Sequence, residues 1–192
     1  MQTVFSRAPF QDPPFVDTYP IWTCAYHDFR EVVAKNNSVV NLILRHMPFV
    51  GGRQFIGIDV RLQYLRPTDW TSAFDISDGD GWHKDTERDP DAIHHIYVIG
   101  KNRTEFLIQD QVVELPLGCY ATYDSQALHR GVQAKEEEYR LFIRGCETND
   151  PTVMRVSMRD AYPERYIDTP EGVERIYLSD EEIEEIFPDV WK

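Results

Sequence analysis

The amino-acid sequence predicts a mainly β, α+β chain: a barrel or sandwich of short strands with helices flanking it at the N- and C-terminal ends. Three observations predict it. In 55–65, Ile56, Ile58, Val60, Leu62 and Tyr64 alternate with Gly57, Asp59, Arg61 and Gln63, the period-two pattern of a strand with one buried face. Strand-like runs then recur at short intervals, around 81–85, 93–99, 104–108, 111–115, 119–123, 127–133 and 138–144. The breaks between them carry turn chemistry: Gly100, Asn102, Asp110, Pro116-Leu117-Gly118, Asp124-Ser125 and the charged Lys135–Glu138. Closely spaced strands of this kind argue against a parallel α/β sheet.

The elements follow in order. Pro9, Pro13, Pro14 and Pro20 make residues 1–20 an extended lead-in. Asp28 with Glu31 forms a capping box ahead of Val32-Val33, which predicts a short helix over 28–36. Ser38 opens a second helix, with Val39, Val40, Ile43, Leu44 and Met47 at helical spacing until Pro48 stops it. After the predicted strands, Val153–Met158 is expected to add an edge strand. Ser179 with Glu182 caps an acidic helix whose buried side is Ile183, Ile186 and Phe187, ending before Pro188. The whole, 1–192, reads as one domain: 1–54 a lead-in with helices, 55–145 the β core, 146–192 an extension.

Composition narrows the function classes. The chain has 192 residues and a net charge of -13, with a net of -6 falling in residues 151–192. That acidity disfavours nucleic acid as a partner, although Arg53, Arg61, Arg66, Arg155 and Arg159 leave room for a local basic patch. No apolar run approaches the ~18 residues of a membrane span, so no membrane partner is expected. The N-terminus does not read as a signal peptide. Cys24, Cys119 and Cys146 form no CxxC pair, so neither a zinc knot nor a disulfide framework is expected and the default compartment is cytoplasmic.

The chemistry concentrates in a few positions. In Gly81-Trp82-His83-Lys84-Asp85, His83 and Asp85 stand two residues apart and share one face of a strand. His129 follows 44 residues after Asp85, in Ala127-Leu128-His129-Arg130-Gly131. Two imidazoles and one carboxylate on a β scaffold match the facial triad of non-haem Fe(II) oxygenases, which leaves three coordination positions open. Alone, the His83–Asp85 spacing is more readily a chance occurrence than a site, and His129 by itself is equally a hydrogen-bonded strand histidine. Arg140 comes 11 residues after His129, on one strand face with Phe142 and Arg144. An arginine in mid-strand is costly to bury without an anion, so Arg140 is a candidate carboxylate clamp. The alternative points Tyr139, Leu141 and Ile143 inward and both arginines to solvent.

Taken in order, His83-x-Asp85, His129 and Arg140 resemble the Fe(II)/2-oxoglutarate-dependent dioxygenase superfamily over about residues 55–145. Arg103-Thr104-Glu105-Phe106-Leu107 is similar to a hairpin such enzymes carry, although Asn102-Arg103 departs from its glycines. The resemblance implies a double-stranded β-helix, a jelly-roll or cupin-like barrel, with His83, Asp85 and His129 as ligands of Fe(II). It implies 2-oxoglutarate as cosubstrate with O2, its far carboxylate on Arg140. The serine usual two positions after that arginine is Phe142 here, so Tyr97 is the candidate hydroxyl, with Thr104 and Tyr64 behind it. Arg144 is a candidate for an anionic group on the substrate, the alternative being a structural salt bridge. Trp82 is a candidate roof over the site, the alternative being packing. His94 and His95 are read as core or surface. The implied function is hydroxylation of a C–H bond in a small molecule, amino acid or peptide, releasing succinate and CO2. Two other classes compete: a cupin-like metal enzyme without 2-oxoglutarate, disfavoured by the lack of a His-x-His, and a non-catalytic β-barrel binding module.

Overall fold

A computed structural model of the chain describes residues 2–12, 22–24, 38–72, 81–85, 89–150, 164–170 and 172–177, with Ser179 and Glu181. In chain order the elements are β1 (Val4–Arg7), β2 (Trp22–Cys24), α1 (Ser38–Arg45), β3 (Phe55–Leu65), β4 (Ile93–Ile99), β5 (Glu105–Ile108), β6 (Gln111–Glu114), β7 (Cys119–Asp124), β8 (His129–Arg130), β9 (Glu138–Thr148), β10 (Glu164–Thr169) and β11 (Gly172–Tyr177). The chain is mainly β, and every strand pairing is antiparallel.

Six strands form the main sheet in the order β1-β7-β4-β9-β3-β2, and three form a smaller one in the order β6-β5-β8. The alternation along the strands sorts side chains to two faces of the main sheet. Tyr97, Ile99, Tyr120, Leu141 and Ile143 join Val40, Ile43, Leu44 and Met47 in one core beneath α1. Ile96, Val98, Ala121, Tyr123 and half-buried Phe142 meet Phe106 of the small sheet in a second core. Strand β4 lies between the two, which is why all seven of its residues are buried.

Helix α1 forms where the spacing predicts it. Its carbonyl at Ile43 accepts the Tyr120 hydroxyl at 2.6 Å, which satisfies a helix-end acceptor from across the sheet. The chain then presses back onto β9 at Gly145, where a Cβ would fall 2.5 Å from Met47 Sδ and 2.8 Å from Phe49 Cε1. The β5–β6 hairpin turns on Gln109 and Asp110, both at positive φ (51° and 62°), the two-residue turn that suits the twist of paired strands.

Several expectations change. The polar side of β3 is not a solvent face: Asp59 and Gln63 are both buried. The runs at 81–85 and 127–133 shrink to an isolated bridge, His83 opposite His129, and to the two-residue β8. In 146–178 the structure has the β10–β11 hairpin. The predicted helix over 28–36, the strand over 153–158 and the acidic helix after Ser179 lie outside the described residues, apart from Glu181. Among the described residues no helix is long and apolar enough to cross a membrane.

Candidate metal centre

The bridge between His83 and His129 builds the site. The two residues exchange both backbone hydrogen bonds, His83 N to His129 O at 2.9 Å and His129 N to His83 O at 3.1 Å. Directly opposed residues of an antiparallel pair project their side chains to the same face. The imidazoles therefore sit together, with ring centroids 4.5 Å apart. Each ring is oriented by its own backbone: His83 Nδ1 donates to Gly81 O at 3.0 Å, and His129 Nδ1 donates to Ala127 O at 3.1 Å. A carbonyl only accepts, so Nδ1 carries a proton in both rings, and Nε2 is the nitrogen left to bind a metal in the neutral form. With the Asp85 carboxylate, these atoms lie within 4.8 Å of one another. Neutral imidazoles and one carboxylate with this spacing fit a divalent first-row metal.

Asp85 is the electrostatic hub. Its Oδ1 lies 3.4 Å from His129 Nε2 and 3.3 Å from Arg144 Nη1. Its Oδ2 accepts the Tyr123 hydroxyl at 3.1 Å and lies 3.3 Å from His94 Nδ1. Burial pushes the Asp85 carboxyl up, but His129, His94 and Arg144 around it outweigh burial and hold it well below the usual range. Burial lowers His83, reinforced by the His129 charge, which favours the neutral ligand form. Burial also opposes charge on His129, yet Asp85 leaves its pKa raised. For His94 burial dominates and brings the pKa down to about 4. Burial, with Asp85 adding to it, pushes the Tyr123 phenol well above its usual range, so it stays a donor.

The triad opens onto a pocket enclosing about 500 Å³ of empty space, part of it open solvent. Arg140, which is buried, also lines it. Its Nη1 donates to Gln63 Oε1 at 2.6 Å, Nε to Asn102 O at 2.8 Å and Nη2 to Thr104 Oγ1 at 3.5 Å. Gly100, at φ 145°, makes room for it: a Cβ there would stand 3.3 Å from Arg140 Cγ. Phe142 lies between the arginines of β9, 5.2 Å from the Arg140 guanidinium.

No family model and no curated protein sequence matches the chain. Among solved structures, the crystal structure of a Pseudomonas putida prolyl-4-hydroxylase is similar with a TM-score of 0.37 and 15% identity. The similarity covers 52% of this chain and 55% of that enzyme, so the chain spans about half its length. At that score the likeness adds nothing to what the geometry shows.

Of the residues singled out in the sequence, His83, Asp85, His129, Thr104, Arg140 and Arg144 all line the pocket. Tyr97 does not. It stands opposite Ile143 in the β4–β9 register, on the α1 side, where its ring packs 4.8 Å from Tyr120 and its hydroxyl donates to Asp12. The hydroxyl beside Arg140 is instead that of Thr104. Trp82 is not a roof: the Arg130 guanidinium covers its ring at 4.5 Å, and Arg130 in turn pairs with Glu105 at 2.7 Å. Arg144 forms the structural alternative, a bridge to Asp59 at 3.2 Å and to Asp85. Sequence reasoning missed Gln63, Thr71, Ser72 and Tyr123 in the pocket wall, and His94 behind it. The available signal was the polar side of β3, Asp59-x-Arg61-x-Gln63, too regular for an idle surface.

Proposed function

We propose that the protein is an Fe(II)- and 2-oxoglutarate-dependent oxygenase that hydroxylates a C–H bond in a small-molecule, amino-acid or peptide substrate. The observation that carries this reading is the meeting of His83, Asp85 and His129 within 4.8 Å on a pocket that the buried Arg140 also lines. The two facing sheets are then the halves of a double-stranded β-helix, and the described core is one oxygenase domain. Bound there, Fe(II) would supply the binding of O2 and the oxidation. One oxygen atom enters succinate as 2-oxoglutarate loses CO2, and the other enters the product. The chain's own residues do the rest. His83 and His129 would ligate through Nε2, and Asp85 would supply one negative charge. Arg140, with Thr104 beside it, receives the far carboxylate and points the keto acid at the metal.

Anaerobic addition of Fe(II) and then 2-oxoglutarate is expected to give a weak visible metal-to-keto-acid charge-transfer band. The absence of any band at saturating concentrations of both would sink the proposal. Arg140→Met is expected to raise the 2-oxoglutarate requirement about a hundredfold, since losing one partner of a buried charged pair costs ~2–5 kcal/mol. Thr104→Val removes one long hydrogen bond from the Arg140 guanidinium, at 3.5 Å, and is expected to cost less than about tenfold. Titrating the band with 2-oxoglutarate measures both; equal affinity in Arg140→Met would remove the clamp.

A further inference from the structure

We propose that Tyr123 is a positioning residue of the metal centre, its hydroxyl engaging Asp85 Oδ2 so that Asp85 ligates through Oδ1 alone. This rests on the proposed function and deepens it. The two carboxylate oxygens have different surroundings. Oδ1 lies 3.4 Å from His129 Nε2, on the side of the ligand set, and accepts from Arg144 Nη1 at 3.3 Å. Oδ2 faces away, to the Tyr123 hydroxyl at 3.1 Å and to His94 Nδ1 at 3.3 Å. A carboxylate held by one oxygen cannot rotate to offer both.

The hub is rigid because Tyr123 is fixed from every side. Its ring stacks on His94 (5.3 Å, 21° between planes) and packs 5.0 Å from His129 and 5.1 Å from Phe106. Packing within the second core thus directs its hydroxyl to Oδ2. His94 is backed in turn: Nε2 lies 3.0 Å from Ser125 Oγ, while Nδ1 is buried and has no hydrogen bond of its own. His94 thereby closes the Oδ2 side against water.

A ligating carboxylate that takes one site, beside two imidazoles, leaves three positions of an octahedral metal. A carboxylate that takes two leaves only two, too few for a chelating keto acid and O2 together. Tyr123 thus bears on how many reactants the metal accepts through its hold on Asp85.

Mn(II), which needs no exclusion of air, is the probe. Tyr123→Phe keeps the ring and removes one oxygen. It is expected to weaken Mn(II) binding by about 10–100-fold, the usual cost of losing an outer-shell partner, and to change the Mn(II) electron paramagnetic resonance line shape. Tyr97→Phe is the matched control on the opposite face of the sheet, expected to lower stability while leaving affinity and line shape as in the wild type. Unchanged affinity and line shape in Tyr123→Phe would overturn the positioning role and leave the metal centre standing. Failure of the wild type to bind Mn(II) would overturn both. A crystal structure of the Mn(II) wild type tests the idea without any variant: ligation through Oδ1 alone, with Tyr123 on Oδ2, supports it, and bidentate or Oδ2 ligation overturns it.

Discussion

His129→Ala is expected to abolish succinate release and to weaken Mn(II) binding by more than about a hundredfold, beyond the cost of losing an outer-shell partner. His129 contributes to the centre in three ways. Its Nε2 is one of three atoms within 4.8 Å of one another that could hold a metal ion, and its backbone forms the bridge that presents His83. Its ring also fills the space between Phe106, at 5.9 Å, and Tyr123, at 5.0 Å. Alanine keeps the backbone bridge and removes the other two. His129→Gln, which restores much of the volume, separates ligation from packing: stability returns toward the wild type while metal affinity does not. His46→Ala, at the exposed end of α1 on the opposite side of the main sheet, leaves both unchanged. Succinate release by His129→Gln at the wild-type rate would remove His129 from the chemistry.

Glu147→Ala is expected to be the most destabilising single change outside the site, at about 3–5 kcal/mol by chemical denaturation. The Glu147 carboxylate is buried on the α1 side of β9. It accepts Val50 N and Gly51 N, each at 2.6 Å, and His95 Nε2 at 2.8 Å. His95 Nδ1 then lies 3.0 Å from Thr122 Oγ1. Alanine leaves the His95 N–H without its acceptor in the core and releases the two backbone donors of the exposed Val50-Gly51 turn. Since the network lies across the sheet from the pocket, Mn(II) affinity of the folded variant is expected to hold. A loss under about 1 kcal/mol would show the network to be dispensable.

The same network makes stability sensitive to acid. Burial lowers the His95 pKa from 6.5, partly offset by Glu147. A histidine depressed in the folded state takes its proton more readily when unfolded. The stability it protects is complete above about pH 6.5 and falls as the pH drops from there toward the folded value. Denaturation midpoints between pH 8 and 5 check the sign, and His95→Gln is expected to flatten the slope.

What was legible in the sequence was local. His83-x-Asp85 shares a face at any strand position, and the spacings to His129 and Arg140 could be read without knowing which strands pair. What was illegible depended on pairing. Tyr97 and Val98 differ by one position, and only the register against β9 puts Val98 beside Phe142 and Tyr97 beside Ile143. The polar side of β3 looked solvent-facing because a single strand does not reveal that Gln63 stands opposite Arg140. His94 and His95 could not be separated for the same reason: one belongs to Asp85 and the other to Glu147.

That adjacent pair has a consequence for how the gene can change. Strands β4 and β9 carry the metal-side residues on one parity and the helix-side core on the other, over seven and eleven residues without a bulge in their register. Inserting or deleting a single codon within either strand exchanges the two sets from that point on, sending His95 toward Asp85 and His94 toward Glu147. Point substitutions can be absorbed one at a time there, but length cannot. Differences in length among descendants of this chain should therefore collect in its loops.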